Sequence, residues 1–490
     1  MPDFERRGQM EALVRERHPG GVHVEGRDGF DPRLCRSALL RQYAAVRGVT
    51  RLRTVSKGKR ARRPSGHPAK VAVRREREAA RRSGAPVGSD GVARRIVREV
   101  SALTGALDAE LWASQLLGVF WDQRYTLPLA EAASPDYTLI LGQPLIEAVA
   151  RLGGVGARTA LSVIERVDDG ELGLRAAELA ASCGADGGEE MPSWVSNVGE
   201  AEITGAAVMY EDVFDDASTV FLEAVHPGGE THAVGVLIDN NLGGMAKDLL
   251  LADSIDRVAE VMRKHPRRDG ELRLERIEPG VAAGRIHAAV ELTDMTLGPA
   301  VAEDYARLRS MALLRADEAP NYKPVPERAE VPHDERDRLR DEFLSSPEGE
   351  QFAPDSDEAY AASLAIDFCA DYVDGQPLRW SPVVVELFMA GWVPRKVLAG
   401  PELFDALPSA LDAWVRFAAR KAGTPEWAVD ETRDAIPRWR DEMVRSGSDP
   451  AAGGPAKQFL AAAKAAGIDV EDGDELQKFM AGWNARSNAT

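Results

Sequence analysis

The sequence predicts an α+β chain: predominantly helical, with a small antiparallel β-meander sheet in the middle and a C-terminal helical bundle. Three observations carry that prediction. Apolar residues recur at helical spacing from Val92 to about Ala181 and again beyond residue 357. Between them, residues 203–239 are β-branched and broken by short polar turns, the texture of strands. A stretch with six prolines and many acids, 315–358, then sets the last helices apart.

At 490 residues the chain is long enough for about three domains. With 44% apolar and 29% charged residues it is neither collagenous, disulfide-stapled nor wholly disordered. Residues 1–90 are rich in Arg, Gly and His, with too little apolar area to offset ordering entropy. They read as a basic, mostly disordered arm holding one polar helix at about 69–83, and Met10 is as good a start as Met1. Residues 91–190 form a helical domain on Ile96, Val100, Leu103, Leu107, Leu111 and Leu116, interrupted at Pro128, Pro135 and Pro144.

An α+β domain follows over 191–314. Three strands are expected at 203–213, 219–225 and 233–239, joined by turns at 214–218 and 226–231. The third lacks polar alternation, so it is read as the central strand, covered on both faces. The expected cover is a helix starting near Leu242 that lines up Met245, Leu249, Leu250, Ile255, Val258, Ala259 and Met262. A fourth strand is placed at 271–277 and a helix after Pro299. The linker 315–358 encloses an amphipathic helix at 334–344. Helices at 357–374, 381–391, 402–422, 425–445 and 455–466 build the C-terminal domain, 359–490, which holds six of the nine tryptophans. Trp414 shares helical spacing with Leu411, Phe417 and Ala418 and is read as core.

Charge is unevenly spread. Residues 51–98 carry sixteen Lys/Arg against three acids, which is +13 there and −31 over the remainder of a chain whose net charge is −18. That asymmetry points to a basic arm acting on a polyanion. Eleven Lys among 61 Lys+Arg also mark the Arg-heavy usage of a high-GC genome. Cys35, Cys183 and Cys369 lie far apart, without CxxC spacing, which excludes a disulfide framework or zinc finger and fits a reducing cytoplasm. No run of ~18 apolar residues is present, so no membrane partner is expected.

The sharpest motif is Leu152-Gly-Gly-Val-Gly-Ala-Arg-Thr-Ala160 between two apolar helices. It resembles the helix-hairpin-helix motif of nonspecific DNA-binding proteins, matching it at Leu152, Gly154, Val155, Gly156, Arg158, Thr159 and Ala160; Gly153 stands where that motif usually has Pro. The resemblance covers about twenty residues and implies backbone N–H groups at a helix N-terminus holding a phosphate, with charge from Arg158. Gly154, Gly156, Arg158 and Thr159 are therefore candidate nucleic-acid contacts. The cluster Lys57, Lys59, Arg60, Arg62 and Arg63 makes residues 51–82 the second candidate, for nucleic acid or ribosome, through counterion release without base stacking.

A third candidate is acidic. Asp239 ends an apolar strand, a place where oxygen ligands converge on hard cations, and Asp248, Asp212 and Glu223 are the other expected ligands. That set suits metal-assisted phosphoester hydrolysis with a divalent metal such as magnesium. His226 and His232 flank one hairpin loop and are placed to face each other, as two ligands or a pH-sensitive pair. No Walker, dinucleotide or nucleophile-elbow pattern occurs. The leading expectation is a non-enzymatic binding or adaptor protein without a resident cofactor, associating with nucleic acid and with an unknown protein partner. The alternative is a metal-dependent, nuclease-like hydrolase centred on Asp239.

Overall fold

The computed structural model describes residues 22–23, 89–132, 134, 136–183, 190–264, 272–449, 453–469 and 473–487. The expected arm helix and the cluster at 57–63 lie outside the described residues. The chain divides into two compact units, residues 47–327, and residues 328–490 together with 1–46. The α+β fold class stands.

In the first unit, α1 (Ser89–Val100), α2 (Ala106–Gln123), α3 (Tyr137–Leu152), α4 (Gly154–Val167) and α5 (Glu171–Ser182) pack before the sheet. The strands are β1 (Glu202–Tyr210), β2 (Ala217–Val225), β3 (Thr231–Asp239) and β4 (Met245–Ala252), then β5 (Arg273–Arg276), which follows α6 (Ile255–Arg263). All pairings are antiparallel, in the order β4-β3-β2-β1-β5. The meander is as expected, except that β2 is the central strand. β3 lies beside it, with both faces buried through most of its length.

The expected helix from Leu242 is corrected. Gly243 (φ +72°) and Gly244 (φ +90°) sit in the β3–β4 connection, and Met245–Ala252 returns as an edge strand, with Met245 opposite Asp239. Only at Ile255 does a helix begin, capped by the Ser254 hydroxyl, which accepts from Arg257 N at 3.1 Å. β5 pairs with β1 at the opposite edge.

Two further helices close the unit, α7 (Pro279–Met295) and α8 (Glu303–Asp317). Ile203, Val208, Val220, Leu222, Val234, Val236 and Leu249 face one large core shared with α2, α4, α7 and α8. Helical residues 91–182 and the sheet thus share a single core. The other face, Ala207, Phe221, Ala233 and Ala252, is covered by Ile255 and Val258 of α6. The outer edge of β4 is stoppered: Ala302 N donates to Lys247 O (2.8 Å) and Thr293 Oγ1 to Ala246 O (3.1 Å).

The second unit is helical, apart from a two-residue ladder pairing Val22 with Leu398 and His23 with Val397. Its helices include α9 (His333–Leu344), α10 (Asp357–Phe368), α11 (Pro382–Glu386), α12 (Pro401–Ala422), α13 (Glu426–Ser448), α14 (Pro455–Ala465) and α15 (Gly473–Ser487). Trp414 is fully buried, its ring 5.3 Å from Phe417 and 5.4 Å from Phe343. Helices α10 and α11 both run on into π-turns, Cys369–Val373 and Leu387–Trp392. The guanidinium of Arg328 donates to the carbonyls of Ala370 and Val373, filling acceptors at the end of the first π-turn.

Candidate functional site

The glycine turn joins α3 to α4. Gly153 (φ +63°) and Gly154 (φ +78°) turn α3 into α4 in a left-handed conformation, with open space where Cβ atoms would stand. No side chain caps α4, so its first N–H groups remain available beside an exposed Gly154. Arg94, Val97, Arg98 and Ser101 fall on one stripe of α1. That stripe meets α4 at Gly156, where an added Cβ would lie 2.8 Å from Val97 Cγ1 and 2.9 Å from Ser101 Oγ. Arg94 and Arg98 are exposed, as is Arg151, which pairs with Asp90 at 3.4 Å. The acids Asp168 and Asp169 sit at the far end of α4, ~20 Å away along the helix. There Asp168 receives Gly173 N at 2.9 Å.

Three of the expected contacts have other surroundings. Thr159 is 2% exposed, so it belongs to the core and is withdrawn from the interface. Gly156 is a packing glycine that lets α1 and α4 approach. Arg158 is half-buried and acts electrostatically on the Cys183 thiol at the end of α5. Arg94, Arg98 and Arg151 are exposed cations near the turn; of these, sequence reasoning counted Arg94 and Arg98, and only as charge.

The four acids expected to bind a metal do not converge. Asp212 closes a local turn, accepting from Phe214 N (2.8 Å) and Asp216 N (3.1 Å). Asp239 accepts from Asn241 N at 3.0 Å and caps the single turn Asn240–Leu242. Asp248 receives Leu249 N at 2.9 Å, while Glu223 receives Ile255 N at 2.6 Å at the start of α6. Glu223 lies six residues up β2 from Ala217, the partner of Asp239, a separation of ~20 Å. Among the described residues no group of three or more His, Cys, Asp or Glu is arranged to hold a metal ion.

Asp212 and Asp239 nonetheless share a field with Asp216. Burial first, then the Asp216 charge, pushes the Asp212 carboxyl up to about 7. Burial raises Asp239 to about 6 against the pull of Lys247, with Asp216 adding to the rise. Its Oδ2 is buried without a hydrogen-bond partner.

The most connected polar group lies between the sheet and the helices. Glu110 of α2 and Arg315 of α8 are fully buried and ion-paired. His226 Nε2 is 3.1 Å from both Glu110 oxygens, and Gly199 N donates to Glu110 Oε1 at 2.8 Å. Arg315 Nε donates to His232 Nε2 at 2.8 Å, and Nη1 to Glu318 Oε2 at 2.6 Å. The two imidazoles stack 5.3 Å apart. Because His232 Nε2 accepts, its proton sits on Nδ1. Burial first, then Arg315, holds His232 down to about 3, so it stays neutral. His226 and His232 face each other as their spacing implied, but bound to a Glu-Arg-Glu chain rather than open to a metal.

A second network pins α2, α7 and α8. Asp294 accepts from Trp121 Nε1 (2.6 Å) and Arg309 Nε (2.7 Å). Arg124 is sandwiched near the rings of Trp121 and Tyr125, at 4.3 and 4.7 Å.

No protein family, curated protein or solved structure matches the chain. Among the described residues no helix is long and apolar enough to cross a membrane.

Proposed function

We propose that this protein is a non-enzymatic binding protein that docks on the phosphate backbone of nucleic acid without reading its sequence. The observation that carries the reading is the uncapped start of α4 at the left-handed Gly153–Gly154 turn, flanked by exposed Arg94, Arg98 and Arg151. Residues 83–88 join the basic segment 51–82 to α1, the helix that carries Arg94 and Arg98. The same polyanion can therefore meet both. In this reading the arm supplies most of the affinity and the turn positions the backbone.

Binding of the full chain to fluorescent RNA and duplex DNA at two salt concentrations tests it. Reversing Arg94 and Arg98 to Glu is expected to weaken binding to both and lower the salt slope by about two, one per lost phosphate contact. Reversing Lys57, Lys59, Arg60, Arg62 and Arg63 together is expected to cost more. Unchanged affinity in both variants would sink the proposal and leave a protein partner as the object of the adaptor.

A second reading, phosphoester hydrolysis at the acidic end of the sheet, draws on Asp212 and Asp239, whose pKa values are raised to about 7 and 6. Magnesium-dependent strand cleavage that disappears in Asp239→Asn at a melting temperature no lower than that of the wild type is the result that would favour it.

A further inference from the structure

After α8 the chain does not leave the first unit at once. Residues 320–330 are exposed and carry no helix or strand, yet the part from Asn321 to Pro324 is laid along α7. The seat is cut by two glycines one helical turn apart. A Cβ on Gly280 would stand 1.8 Å from Asn321 O, and one on Gly284 1.9 Å from Lys323 O. Asn321 takes a left-handed conformation (φ +56°) to enter this track, and Lys323 N donates to Gly280 O at 3.0 Å. Lys323 Nζ also pairs with Glu278 at the exposed surface. At the far end His287 of α7 holds Asp317 at 2.9 Å and meets the Tyr322 ring edge-on at 5.7 Å.

We propose that residues 320–327 are a releasable strap, which, seated on the Gly280–Gly284 track, shortens the free chain leading to the second unit and, unseated, lengthens it. The anchors are few and mostly wet, the composition of segments that open well below the global unfolding free energy. Seated, the free chain runs from Pro324 to Arg328; released, it runs from Pro320. At ~3 Å per residue for a Pro-rich segment, its reach grows from about 12 Å to about 24 Å.

His287 supplies the control. The hydrogen bond that its ring N–H donates to Asp317 raises its pKa above the usual histidine value against partial burial. Acids facing it from three places favour the charged ring: Asp317 on α8, Glu291 on α7 and Asp169 in the α4–α5 connection. Protonated, the raised histidine stabilises its α7–α8 pair with Asp317 and so holds the ring on which Tyr322 of the strap rests; that contribution is lost as pH climbs through its folded value. Through this Tyr322 contact the strap is tighter at acid than at alkaline pH.

Hydrogen–deuterium exchange of the full chain, read as protection factors for the peptide spanning 320–327 at about pH 6 and pH 8, tests this. Alanine raises helix propensity, so Gly284→Ala preserves α7 while filling the seat. Strap protection is expected to fall about tenfold or more in that variant, with the sheet peptides unchanged. Wild-type protection is expected to drop between the two pH values, and His287→Phe, which keeps a ring against Tyr322, to show no such drop. Equal strap protection in Gly284→Ala and wild type, or a pH profile shared by wild type and His287→Phe, overturns the proposal. Should Gly284→Ala fail to fold, cleavage by a Glu-specific protease after Glu327, faster at the higher pH in wild type but not in His287→Phe, decides the matter.

Discussion

Replacing Arg315 with methionine is expected to destabilise the first unit by about 3–5 kcal/mol, the cost of stranding buried charge. The arginine is the only cation the structure places between the carboxylates of Glu110 and Glu318 among the described residues, and its Nε also satisfies His232. Without it, Glu110 keeps the His226 and Gly199 bonds but loses its counter-ion. For a unit of this size the melting temperature should fall by roughly 10 °C. The double variant Glu110→Gln with Arg315→Met is expected to recover part of the loss, since the uncompensated charge is then gone. A double variant no more stable than Arg315→Met alone would mean that packing, not charge, sets the cost. The same network governs acid lability. His232 stays neutral in the fold down to about 3 and titrates at the ordinary histidine value once unfolded, so stability drains as pH falls from about 6.5 toward 3.

Asp239→Asn is expected to stabilise the protein above neutral pH. Its carboxyl, raised from 3.8 to about 6, gives up its proton later in the folded chain than in the unfolded one. Stability is thus lost as pH rises from about 4 through 6. The full cost above that is ~3 kcal/mol, two pKa units at about 1.4 kcal/mol each. Asparagine keeps an oxygen for Asn241 N and carries no charge. Denaturant titrations at pH 4 and pH 8 should show the two proteins alike at the lower value and the variant ahead at the higher. A variant less stable at pH 8 would show that Lys247 depends on this carboxylate more than burial penalises it.

The meander was legible because its strands alternate or run apolar between Asp- and Gly-rich turns, and Trp414 was legible as core from its helical neighbours. Met245–Ala252 was misread because Leu249, Leu250, Ile255 and Val258 mimic a helical stripe across what is a strand, a break and a helix. The Gly243–Gly244 pair was the signal that should have ended the helical reading. Pro279–Met295 went unassigned because small and apolar residues surround it on all sides, leaving no amphipathic period. The glycine turn could be read locally, since its geometry is contained in five residues. The Glu110–Arg315 pair could not, because its members lie 205 positions apart and are joined only by the packing of α2 against α8. The acidic set failed for a related reason: strand position is visible in sequence, but the end of the strand at which a carboxylate emerges depends on register.

The two π-turns bear on how the second unit tolerates change in length. Each holds one residue more than an α-helical path through the same span requires. Excising a single residue from Leu387–Trp392 would remove that extra residue and restore ordinary winding, leaving the helical segments on either side in register. Only the turn itself, with Trp392 stacked 5.7 Å from Phe388, would have to repack. The same loss inside an ordinary helix such as α12 would swing everything beyond it by about 100°. These turns therefore mark the places where a helix of the second unit best absorbs the loss of one residue.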